Sequence, residues 1–103
     1  MKPKERRSKM KNYEIMFILS THLTEEEKQA TIKLVEDTLT KSGAVELKTD
    51  IWGERKLAYP VKKKENGYYV LTLFQIDGLK IPEVEAKLNI TEAILKYMIV
   101  KND

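Results

Sequence analysis

Cysteine is absent from the 103 residues, which excludes disulfides, thiolate metal sites and a thiol nucleophile. Histidine occurs once, as His22, in a loop ahead of the first predicted helix. A lone loop histidine with no nucleophile or orienting carboxylate beside it makes no catalytic constellation. The four glycines are scattered, so no glycine-rich loop can cradle a phosphate. No apolar run reaches the ~20 residues of a membrane-spanning helix. The basic N-terminus also lacks the apolar stretch of a signal peptide. Glu25, Glu26 and Glu27 are the nearest thing to a metal cluster, and helix-start carboxylates are their ordinary explanation. The expectation is a cytoplasmic binding protein: no enzyme, metal, cofactor, small-molecule substrate or membrane.

What the chain does have is one domain's worth of residues with 42% hydrophobic and 34% charged content, enough for a single core. The net charge of +3 is unevenly spread. Residues 1–11 carry +5, and the remainder carries −2. Nucleic-acid binders that act alone usually carry a broad positive field. A body this weakly charged must bind nucleic acid through local patches, with affinity supplied by a companion.

Residues 1–9 read as a basic N-terminal arm, ahead of a domain over residues 10–103. NYEIMFILS, Asn12 to Ser20, predicts strand one, with Tyr13, Ile15, Phe17 and Leu19 on one side and Glu14, Met16, Ile18 and Ser20 on the other. Thr24 with Glu27 three residues on predicts a capping box. Ile32, Val35 and Leu39 then repeat at helical spacing, and Gly43 ends the helix. Ala44 to Val61 predicts a long strand two, bulged at Gly53 and lying on an edge because of Pro60. Lys62 to Gly67 predicts a turn, with positive φ at Asn66-Gly67. Tyr68 to Ile76 is strand three. Pro82 opens a second helix with Ile81, Val84 and Leu88 on its buried face. Ala93 to Lys101 is strand four.

The order β-α-β-β-α-β implies an α+β fold of the ferredoxin-like, split β-α-β kind. Two helices then cover one face of a four-stranded antiparallel sheet. The face left open would carry Met16, Ile18, Tyr69, Leu71, Leu73, Met98 and Val100. An apolar patch of that extent marks an interaction surface on a monomer, unless the register differs or the termini cover it.

The basic residues Arg55, Lys56, Lys62, Lys63 and Lys64, with Glu54, give residues 54–64 a charge of +4. Taken alone, such a run reads as a solvated loop or as a guard against edge-to-edge pairing. The string around it is more specific. Gly53, Arg55, Lys56, Leu57, Ala58, Tyr59, Pro60 and Val61, then Gly67, Tyr68 and Tyr69, resemble the bacterial small-subunit ribosomal protein six family. Met10-Lys11-Asn12-Tyr13-Glu14 is similar to that family's N-terminus, and Ile94 to Lys101 to its last strand. The resemblance spans residues 10–103. Residues 1–9 precede the family's usual start, and the C-terminal tail of many members has no counterpart after strand four.

The resemblance implies a structural component of the small ribosomal subunit. Such a component binds the central domain of small-subunit ribosomal RNA together with small-subunit ribosomal protein eighteen. Candidate phosphate contacts are Lys11, Arg55, Lys56, Lys96 and Lys101. Lys11 leads into strand one, Lys96 and Lys101 lie on the neighbouring strand four, and Arg55 and Lys56 are the family's basic pair, which could equally brace the edge strand. The partner protein would meet either the open face or the edge of strand two. Two rivals share the topology: an RNA-recognition module stacking bases on its sheet, and an oligomeric regulatory or enzymatic module outside the ribosome. Asn66-Gly67-Tyr68-Tyr69-Val70 is weakly similar to a base-stacking strand. Yet the open face is mostly aliphatic, which favours a protein.

Overall fold

The computed structural model describes residues 10–61 and 64–102. The expected arm at residues 1–9, and Lys62 and Lys63 of the expected turn, lie outside the described residues. The elements run β1 (Met10–Leu19), α1 (Glu25–Lys41), β2 (Val45–Val61), β3 (Lys64–Asp77), a 3-10 turn (Gly78–Lys80), α2 (Ile81–Asn89) and β4 (Ile94–Lys101). The strands lie in the order β2-β3-β1-β4, every neighbouring pair antiparallel. This is the expected split β-α-β arrangement, with β2 on an edge.

Local chemistry sets each helix. The Thr24 hydroxyl accepts from the Glu27 N–H at 3.1 Å, and the Glu27 carboxylate accepts from the Thr24 N–H at 2.8 Å. That closes the capping box and satisfies two otherwise orphaned donors. Ile32, Val35 and Leu39 are buried along α1, together with Thr31. Beyond the helix, Gly43 takes φ +98°, which a side chain would resist. Val84 and Leu88 bury α2.

Between helices and sheet, Ile15, Phe17 and Leu19 meet Val70, Phe74, Ile76, Val35, Leu39, Val84 and Leu88 in one core. Tyr13, Tyr97 and Ile99 pack at its margin, and the Tyr13 ring stacks on Phe74 with centroids 6.0 Å apart. One polar thread runs through it. Thr72, fully buried on β3, shares a hydrogen bond with Thr49 of β2, whose hydroxyl donates to the Glu36 carboxylate of α1. Ser42, at the end of α1, donates to Glu83 of α2 at 3.1 Å.

The hairpin departs from expectation. Asn66 and Gly67 pair with Lys56 and Arg55 as strand residues, and after a register shift β2 and β3 pair again at Val61 and Lys64. Gly67 therefore forms no turn, and φ is positive only at Gly43, Gly53 and Glu46 among the described residues. Its glycine has another cause. A Cβ there would overlap Ile18 Cγ2 and lie 3.2 Å from Leu57 Cδ2, because both side chains close over the bare backbone. The last β1–β3 pair is Leu19 with Tyr68. Past it the hairpin continues as a two-stranded ribbon. The bulge expected at Gly53 is present, at φ +87°. Two further register shifts lie between Val45 and Lys48, where Glu46 takes φ +59°, and between Lys56 and Val61.

Two substitutions test these contacts by urea denaturation. Gly67→Ala should destabilise by about 1–3 kcal/mol, the usual penalty for forcing an extra methyl into packed structure. Thr24→Ala should cost about 1 kcal/mol through loss of the cap. A wild-type midpoint for Gly67→Ala would show that Ile18 and Leu57 do not close over the glycine.

Candidate protein and RNA interface

Cross-strand partners share a sheet face, so the register defines the open side. One row reads Asp50, Leu71, Met16, Met98 across β2, β3, β1 and β4. The next reads Lys48, Leu73, Glu14, Val100, and the row on the other side reads Gly53, Tyr69, Ile18, Lys96. The structure thus brings all seven expected apolar residues onto one face that neither helix covers.

Their exposure divides them. Met98 is 57% exposed, Val100 40% and Leu73 38%. Met16, Tyr69 and Leu71 are half-buried. Ile18 is only 8% exposed, because Leu57, itself buried, joins it over Gly67. Ile18 is therefore packing beneath the surface, and the free patch is centred on Met98, Leu73 and Val100 with Met16 and Leu71 between them.

Trp52 was not anticipated in this patch. The bulge inserts it between Ile51, opposite Val70, and Gly53, opposite Tyr69. Its indole N–H donates to the Asp50 carboxylate at 3.2 Å, and Asp50 faces the open side opposite Leu71. The ring is 43% exposed and extends the patch at the β2 edge. Alternation from Asp50 already puts Trp52 on the open side; what the bulge changes is Gly53, which takes that same side opposite Tyr69 and shifts the period for the residues after it.

The five candidate cations do not form one cluster. Lys96 lies on the open face opposite Ile18. Arg55, opposite Gly67, takes the same side on the ribbon, while Lys56, one residue on, takes the other. Lys11, opposite Ile76, and Lys101, opposite Tyr13, lie together at one end of the helix-covered side. A further basic residue, Lys28, has its ammonium over the Tyr68 ring, 4.5 Å from the centroid, and is occupied there.

Little else suggests chemistry. His22 is exposed, and its backbone N–H donates to the Ser20 hydroxyl. Glu27 serves the cap of α1. No group of three or more His, Asp or Glu among the described residues could hold a metal. Tyr97 donates its hydroxyl to Asn89 at 2.8 Å. Burial and the neighbouring Glu85 carboxylate push its phenol above the usual value, while the Asn89 bond pulls the other way. No described helix is long and apolar enough to cross a membrane.

Residues 12–101 match the family model described as ribosomal protein S6. A small ribosomal subunit protein bS6 from Fusobacterium nucleatum is 51% identical over 94 residues, 91% of this chain and 100% of the relative. One from Campylobacter jejuni is 46% identical over 93 residues, 89% of this chain and 74% of the relative. The crystal structure of 30S ribosomal protein S6 from Thermotoga maritima superposes with a TM-score of 0.86 at 27% identity, covering 90% of this chain and 88% of that one.

The division of the open face can be measured. Ile18→Ala should cost about 2–5 kcal/mol of folding stability, as a buried isoleucine does. Met98→Ala should stay within about 0.5 kcal/mol of wild type. Equal losses in chemical denaturation would contradict the assignment of Ile18 to packing and Met98 to free surface.

Proposed function

The chain belongs to the ribosomal protein S6 family, and from that premise we propose that it binds the central domain of small-subunit ribosomal RNA as a pair with small-subunit ribosomal protein eighteen. Membership makes it a structural protein of the small ribosomal subunit, at work in the cytoplasmic ribosome, and not an enzyme. The pairing and the surfaces it uses are the proposal.

The observation that carries it is the exposed apolar strip on the open face. Covering ~400 Å² of such surface at ~25 cal/mol/Å² is worth about 10 kcal/mol gross, before the losses of association. The cations supply less. They are scattered over both sides, so each neutralises a phosphate separately and contributes modestly. The protein partner then supplies much of the affinity, and the cations add phosphate contacts that set position. A base-stacking sheet would want aromatics on the open side of β1, where this chain has Met16 and Ile18.

Three measurements test the reading. The chain should co-sediment with small subunits in high-salt gradients, and recovery only as free protein would count against it. Replacing one true phosphate contact among Lys11, Arg55, Lys56, Lys96 and Lys101 by Ala should lower the salt slope of RNA binding by about one unit. Five unchanged slopes would remove that assignment. Leu71→Asp should weaken the heterodimer with protein eighteen far more than a charge placed on the outer edge of β2. If it folds and binds as wild type, the open-face reading is wrong and the β2-edge alternative survives.

A further inference from the structure

Glu14 stands among apolar neighbours on the open face. It pairs with Leu73 of β3 and Val100 of β4, and Met16 follows it on the same side of β1. It is half-buried. Its Oε1 accepts a 2.9 Å hydrogen bond from the Asn102 side-chain amide. Among the described residues Glu14 stands in no ion pair; the pairs seen there include Lys28 with Glu25 and Lys33 with Asp37. Lys48 shares its row but lies beyond Leu73, two strand spacings away, about 10 Å.

Water can solvate this carboxylate while the face is open. A partner that covers Leu73, Met16 and Val100 removes that water. One neutral amide cannot replace it, and an ionised carboxylate left unpaired under a partner is strongly unfavourable. Building on the open-face reading above, we infer that the partner protein sets a cationic side chain, best a guanidinium, against Glu14. The planar fork of a guanidinium can meet both carboxylate oxygens while Asn102 keeps its bond to Oε1. Nearby charge is mixed, with Lys48 in the same row and Lys11 and Lys101 at this end of the helix-covered side, but one more carboxylate lies close on the open side. Glu46, exposed at its left-handed position, lines a cleft with Asn12, Gln75, Leu73 and Asn102 at this end of the face. The folded body, at −2, also suits a basic companion. An RNA backbone fits poorly, since phosphate and carboxylate repel.

The test is heterodimer affinity with small-subunit ribosomal protein eighteen, measured calorimetrically at low and high salt. Glu14→Gln keeps the shape and an acceptor for Asn102, and removes only the charge. Affinity should fall on the order of 30-fold, the low end for breaking a buried charge pair, with a flatter salt dependence. Glu14→Lys should fall further. Leu71→Asp runs in parallel. If Glu14→Gln binds within about twofold of wild type while Leu71→Asp loses binding, the open face stands and the cation is wrong. If both bind as wild type, both are overturned. If Glu14→Gln instead tightens RNA binding and leaves the protein partner unaffected, the carboxylate faces phosphate, and the inference is overturned.

Discussion

The structure depends on β1 having two apolar faces. Ile15, Phe17 and Leu19 are completely buried under the helices, while Met16 and Ile18 point the other way. A strand flanked by β3 and β4 and covered by helices on one side only does not hide both rows among the described residues. The split β-α-β topology puts both helices on the same side, because each crossover is right-handed. The apolar row on the far side is therefore a consequence of the fold, and it becomes useful only when another molecule covers it.

The chain meets part of that demand itself. Leu57 reaches over Gly67 to Ile18, and the three form a small second core on the open side. Gly67 is what allows this: with no side chain there, two branched side chains can lie flat on the backbone of β3. The remaining apolar residues, from Met16 and Leu71 out to Met98, Leu73 and Val100, stay uncovered. Trp52 joins them through the bulge. The packed end of the sheet and the exposed strip at its centre are thus one continuous surface, divided by where Leu57 ends.

Electrostatics then gives that surface a direction. Glu14 and Lys48 share a row toward the end marked by Asn12, Gln75 and Asn102, where Glu46 also lies, and Lys96 and Arg55 lie toward the hairpin ribbon. An apolar strip alone would accept many partners in many orientations. On the proposed docking, charges along the strip would penalise orientations that leave like charges together or a carboxylate dry. On that proposal the apolar contact would supply strength and the charges register.

Much of this was legible in the sequence. The capping box at Thr24 and Glu27, the stripe of Ile32, Val35 and Leu39, and the alternation along β1 are local patterns, and local geometry alone produces them. The open face followed too, since counting by twos needs only the strands and their order. What only the tertiary structure decided depended on neighbours distant in sequence. Asn66-Gly67 resembles a turn, but pairing with Arg55 and Lys56 made it strand, and Ile18, far away in the chain, gave the glycine its reason. Gly53 and the residues after it shifted sides relative to Asp50 because a bulge breaks period two. Ile18 passed from surface to packing because Leu57 crossed the sheet to meet it. Sequence patterns specify which way a residue points along its own strand, but exposure depends on what the rest of the chain lays over it.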